Sequence, residues 1–172
     1  MRTYHSPPGK LDELHARFRD HTRSLFKKHG IENVGYWVPI ENTNNTLIYL
    51  LAYPNRAARE ESWRAFNADP EWQAVWKKSE ANGPLVEKFE SVFLQPTDFS
   101  PVLKTGNISK DGVFELRTYT TPPGFLPNLD TRFREHTMAL FKKHGMKNWM
   151  YFHKMPDQPD ADTTLIYFLA HK

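Results

Sequence analysis

The stretch HTRSLFKKHG at residues 21–30 returns as HTMALFKKHG at residues 136–145, with eight of ten residues identical. Outward from it, a shift of 115 residues aligns Arg2–Val38 with Arg117–His153, with 21 identities in 37 positions. Ordinary residue usage gives about two. After three extra residues in the second copy, NTLIYLLAY at 45–53 matches TTLIYFLAH at 163–171. Solenoid repeats have periods of roughly 20–50 residues. A period this long describes two domain-sized units in tandem.

The local signals inside each copy alternate between strand and helix. VFELRTY at 113–119 places Phe114, Leu116 and Thr118 on one face and Glu115, Arg117 and Tyr119 on the other, the period of a strand. The PPG that follows stops it, because proline cannot continue a ladder and glycine permits the turn. Leu11, Leu14, Phe18, Thr22 and Leu25 then recur at helical spacing, and Gly30 ends that helix after a basic last turn. NVGYWV and TLIYLLAY, separated by a polar loop, predict a hairpin.

Only the first copy continues. NRAAREESWRAFNA predicts a helix, and DPEWQAVWKKSEA a second one with an Asp cap and a proline at its first position. Trp72, Val75 and Trp76 are expected on its buried side, and EKFESVFLQ reads as a last strand. The fold class is α+β: tandem ferredoxin-like β-α-β-β-α-β units with antiparallel sheets, the second unit incomplete. The expected organisation is a first unit at 1–97, a linker at 98–112 rich in Pro, Gly, Ser and charge, and a truncated second unit at 113–172. The uncovered flank of that second unit is expected to be closed by oligomer contacts.

Composition narrows the function. The formal net charge is +3, with basic residues dispersed among acidic ones, so no nucleic-acid stripe forms. Zero cysteines exclude disulfides, thiolate catalysis and Cys-ligated zinc. No run reaches membrane-spanning length, and MRTYHSPPGKL lacks the apolar core of a secretory signal. The expected compartment is the cytoplasm. No nucleophile elbow, P-loop or dinucleotide fingerprint is present.

ELRTYTTPPG, RFREHTMALFKKHG, NVGYWVP and the Trp-rich NTLIYLLAYPNRAAREESWRAFNADPEWQAVW together resemble the NIPSNAP family, over nearly the whole chain. The resemblance implies membership of the dimeric α/β barrels, in which two such units face each other. Proteins of that wider group include cofactor-free monooxygenases, haem-handling proteins and small isomerases. NIPSNAP members have no agreed reaction, and eukaryotic ones imply a mitochondrial alternative for the compartment. The function expected from this likeness is a small-molecule-binding or protein-interaction module. The alternative is a cofactor-independent monooxygenase or a haem-binding protein. Whether the chain is an enzyme is left open, and a homo-oligomer is expected.

Candidate residues follow from the repeat. His21 and His136 are the catalytic candidates, as general bases or haem ligands. The simpler account is that a duplicated boundary histidine need only preserve packing. His21 and His29 make no metal pair, because eight residues of helix rise about 12 Å. No metal site and no cofactor are expected, with haem as the one alternative. Arg2, Tyr4, Glu115, Arg117 and Tyr119, together with Tyr36 and Tyr151, are the ligand-binding candidates. Their strand face is expected to line the barrel interior, away from the helices. Trp63, Phe66, Trp72 and Trp76 read as core, and the RFR arginines and KKHG lysines as solvated.

Overall fold

A computed structural model of the chain describes residues 1–102 and 112–171; most of the expected linker at 98–112 therefore lies outside the described residues. The chain divides into two compact units, Met1–Ser91 and Val92–Lys172.

In the first unit, β1 (Arg2–His5) leads into α1 (Leu11–Arg17), a π-helical turn (Phe18–Thr22) and α2 (Arg23–Lys28). Gly30 follows at φ +75°, a left-handed conformation that glycine adopts without a Cβ penalty. The hairpin of β2 (Glu32–Trp37) and β3 (Thr46–Ala52) comes next, then α3 (Arg56–Ala68), α4 (Pro70–Ser79) and β4 (Lys88–Ser91). Asn55 caps α3 by accepting from the Ala58 amide, and Asp69 caps α4 by accepting from the Glu71 amide. All pairings are antiparallel and the strand order is β2-β3-β1-β4, which is the ferredoxin-like arrangement.

The core of this unit lies between sheet and helices. Leu14, Phe18, Leu25, Phe26, Tyr49 and Phe66 are all buried in it. α4 is shallower than its tryptophans suggest. Trp72 is half-buried against Phe66, at 4.6 Å between ring centroids, but Trp76 is 50% exposed. The expected buried side of α4 is therefore narrower by one tryptophan.

The second unit comprises β5 (Leu94–Pro96), β6 (Val113–Thr120), α5 (Leu126–Arg132), a second π-helical turn (Phe133–Thr137), α6 (Met138–Lys143), β7 (Lys147–Lys154) and β8 (Thr164–His171). Its order is β5-β7-β8-β6, again antiparallel. The run expected to be one closing strand thus splits at Val92–Phe93, with Lys88–Ser91 pairing β1 and Leu94–Pro96 pairing β7. The residues after β5 stay with the second unit. Phe99 packs on Tyr151, and Arg134 grips Asp98 with two hydrogen bonds of 2.8 and 3.1 Å. In the first unit β4 covers the β1 edge, whereas β5 adds at the β7 edge. Among the described residues the equivalent β6 edge carries no strand.

Candidate functional site

Strand alternation was read correctly, but the face was assigned to the wrong layer. Arg2 and Tyr4 stand opposite Tyr49 and Leu47 across β1 and β3. The Tyr4 ring meets Phe18 at 6.1 Å and Tyr49 at 5.1 Å, so this face lies under the helices. In the second unit Tyr119 likewise meets Phe133 at 5.9 Å and Tyr167 at 5.2 Å. The expectation of a face turned away from the helices is corrected in both units. The reason is aromatic burial: a tyrosine presents an apolar ring to the core and needs only its hydroxyl near a polar group.

Tyr36 and Tyr151 take this to its limit. Each stacks on the tyrosine across the hairpin, Tyr36 on Tyr49 and Tyr151 on Tyr167. Each hydroxyl donates to an asparagine three residues earlier in the same strand, Asn33 and Asn148. Burial pushes both phenols well above the usual tyrosine range. Tyr151 is fully buried, so it is a core residue of its unit.

The two catalytic candidates sit on the outside. His21 is exposed, and His136 is 71% exposed beside Glu135. Continuous α-helix would carry His21 to the edge of the apolar stripe. The π-helical turn closes with i→i+5 bonding, seen in the Arg23 amide donating to the Phe18 carbonyl. Thr22, on the apolar stripe, is buried over the core, where its hydroxyl donates to the Arg17 carbonyl. His29, by contrast, is held: its Nε2 lies 2.6 Å from Asp69 Oδ2, and Lys28 Nζ donates to the same oxygen at 2.7 Å. With these partners the Asp69 carboxyl is held far below the usual carboxylate range, first by Lys28 and then by His29.

What the first unit does bring together is a groove of about 890 Å³ between β1, β4 and the α3–α4 arm. Arg2 lies among aromatic faces, 4.5 Å from the Trp63 ring, 5.1 Å from Phe89 and 5.3 Å from Tyr4. The Trp63 indole donates to the Tyr53 hydroxyl at 2.7 Å, which fixes the ring over Arg2. Arg17 forms the second cationic point of the groove. It is only 6% exposed and donates to Ser79 Oγ and Glu80 Oε1, each at 3.1 Å. The Nε groups of Arg2 and Arg17 are both buried without a hydrogen-bond partner.

Of the sequence candidates, Arg2 and Tyr4 line this groove; Arg17, Trp63, Trp72 and Phe89 were not foreseen as its walls. Arg17 was read as solvated. Its position three residues after Leu14, on the apolar stripe, was the available signal of a buried charge.

The matching strand face of the second unit carries a more polar set. Arg117 donates to Glu115 at 3.0 Å and to the Tyr119 hydroxyl at 3.3 Å, and His171 Nε2 lies 2.9 Å from the other Glu115 oxygen. Arg117 and then His171 hold the Glu115 carboxyl below its usual range. Tyr119 is lowered by its interaction with the Tyr167 hydroxyl and, against desolvation, by Arg117. This cluster is partly open to solvent, with Glu115 and Arg117 at 39% and 37% exposure. Among the described residues no group of three His, Cys, Asp or Glu side chains could hold a metal ion. No described helix is long and apolar enough to cross a membrane.

Comparison with known proteins bears on the family of the chain. The NIPSNAP family profile matches residues 1–101. The chain is similar to NipSnap homolog 3A of Homo sapiens and of Pongo abelii, 34% identical over 125 residues in each case, covering 72% of this chain and 48% of the relative. It thus spans about half the length of the curated relatives it matches. An uncharacterised NIPSNAP domain protein from Burkholderia xenovorans superposes with TM-score 0.52 at 30% identity, covering 59% of this chain and 95% of that one. A NIPSNAP family protein from Agrobacterium tumefaciens gives TM-score 0.53 at 27% identity, covering 59% and 93%.

Proposed function

The chain belongs to the NIPSNAP family, and from that premise we propose that its first unit binds a small organic anion with a flat apolar body, such as an aromatic or other unsaturated carboxylate. The observation that carries this reading is the pair of buried, unpartnered arginine Nε groups at Arg2 and Arg17 in an aromatic-walled groove. A buried N–H without an acceptor costs about 1–3 kcal/mol, and a carboxylate oxygen would recover that cost in a charge-assisted bond. The volume also fits, since small-molecule sites run from about 300 to 1,000 Å³. Trp63 and Trp72 supply faces on which a flat molecule stacks. The walls hold cations, aromatic rings and the carboxylates of Glu60 and Glu80, with no histidine among them. That set suits retention of a ligand.

Three of the five tryptophans line the groove, so intrinsic fluorescence reports on occupancy. The test titrates a panel of aromatic and long-chain carboxylates beside their methyl esters. The expected result is saturable quenching by an acid, at least tenfold weaker binding of its ester, and loss of binding in Arg2→Met with unchanged circular dichroism. Equal binding of acid and ester, or full affinity in Arg2→Met, would refute the reading.

A further inference from the structure

We infer that the ligand of the first-unit groove is an oxo acid: a flat carboxylate that also carries an uncharged carbonyl oxygen, held by Arg17. This rests on the reading of the groove as a carboxylate site and deepens it, because the two arginines take different groups of the ligand.

The two guanidiniums differ in their surroundings. Arg2 is half-buried among the faces of Trp63, Phe89 and Tyr4. Among the described residues no carboxylate pairs with it. Arg17 is 6% exposed and already has a counter-charge, Glu80 at 3.1 Å. Both of its hydrogen bonds, to Ser79 and Glu80, use Nη1. The Nε edge of the guanidinium is left without an acceptor. Glu80 is held on the Nη1 side, since the same oxygen accepts from the Leu85 amide at 3.4 Å.

Charge decides what each arginine takes. Between them Arg2 and Arg17 have one carboxylate, Glu80, so one positive charge is uncompensated. Of the other arginines in the walls, Arg59 is paired with Glu60 at 2.9 Å and Arg64 is exposed to water. One ligand carboxylate, at Arg2, therefore brings the two buried Nε positions to neutrality. A second carboxylate at Arg17 would stand beside Glu80 as an excess like charge, which a partly desolvated site penalises. A carbonyl oxygen supplies the acceptor without the charge. A ligand lacking it leaves the Arg17 Nε–H unmet, and sites built around a polar group discriminate against its absence.

A flat body joins the two positions. Arg2 lies over Trp63, and Arg17 lies 5.4 Å from the Trp72 ring. Phe66 touches both tryptophans, at 5.4 and 4.6 Å between centroids. All three rings line the groove, so a conjugated scaffold along this wall carries its carboxylate toward one arginine and its carbonyl toward the other.

The test uses the positional isomers of fluorenone carboxylate. Each is titrated calorimetrically into the full chain beside the fluorene carboxylate, in which a methylene replaces the ketone, and beside fluorene dicarboxylates. At least one fluorenone acid should bind at least tenfold more tightly than its fluorene partner and more tightly than any dicarboxylate. In Arg17→Met the advantage of the ketone over the methylene should disappear. Glu80→Gln removes the negative charge but keeps an oxygen for Nη1, so it should raise the dicarboxylates at least tenfold relative to the fluorenone acid. Should Arg17→Met lose its circular dichroism, the Glu80→Gln ranking decides. The inference is overturned by a ketone that adds nothing in any isomer, by an advantage that survives Arg17→Met, by a wild-type preference for dicarboxylates, or by an unchanged ranking in Glu80→Gln. If no acid binds, the reading of the groove falls and this inference with it; if acids bind and the ketone adds nothing, this inference alone falls.

Discussion

Leu25 and Leu140 hold the same place in the repeated helix, yet truncation to alanine should cost very different amounts. Leu25 is 3% exposed within a core that contains Phe26 and Phe66. Removing its three terminal carbons loses about 2.4 kcal/mol of transfer energy at about 0.8 kcal/mol per methylene. The cavity left behind raises the total to about 3–4 kcal/mol. Leu140 is 52% exposed, so much of its side chain is already hydrated and no cavity forms. Its truncation should cost less than about 1 kcal/mol. In urea, with a slope of about 2 kcal/mol per molar, Leu25→Ala should lower the midpoint by about 1.5–2 M and Leu140→Ala by less than about 0.5 M. The chain divides into two compact units, so each curve needs a local probe. Trp63 and Trp72 report on the first unit and Trp149 on the second, and hydrogen exchange of residues 11–28 and 126–143 assigns each transition. Equal costs at the two positions would refute the claim that burial, and not the repeated sequence, determines what this leucine contributes.

Two further predictions concern titration. Asp69 has a folded-state pKa below its ordinary value, so its ionic contacts stabilise the fold fully above the usual carboxylate range. That contribution fades as pH falls from about 4 toward the depressed value. The stability gap between wild type and Asp69→Asn should therefore be constant near neutrality and narrow in acid, as followed by thermal melts across pH; a gap that widens in acid would contradict the assignment. Tyr119 should ionise earlier than an ordinary tyrosine in an ultraviolet phenolate titration. Tyr119→Phe should delete that early phase and Arg117→Met should move it upward. An unchanged first phase in both variants would count against the Arg117–Tyr119 contact.

The strand, helix and hairpin of each copy were legible because their signals are local. A period of two along Val113–Tyr119, the helical stripe from Leu11 to Leu25, and the Asp–Pro start of α4 each depend on a few neighbouring residues. The duplication made those signals visible twice, and the combination of motifs identified the family. The candidate site was only partly legible. Arg2 and Tyr4 stood out by alternation, but their partners Trp63, Trp72 and Phe89 come from elements up to 87 residues away.

The sequence by itself determined the elements, their order and the family, because backbone periodicity and turn chemistry are written in adjacent residues. Only the tertiary structure decided which layer the tyrosine face meets, on which edge β5 adds, and whether a repeated residue is core or surface. Leu25 and Leu140, Arg17 and Arg132, and His29 and His144 are identical pairs with different fates. Burial belongs to a side chain together with whatever packs on it, and in the first unit that partner is the α3–α4–β4 segment, which has no counterpart among the described residues of the second unit.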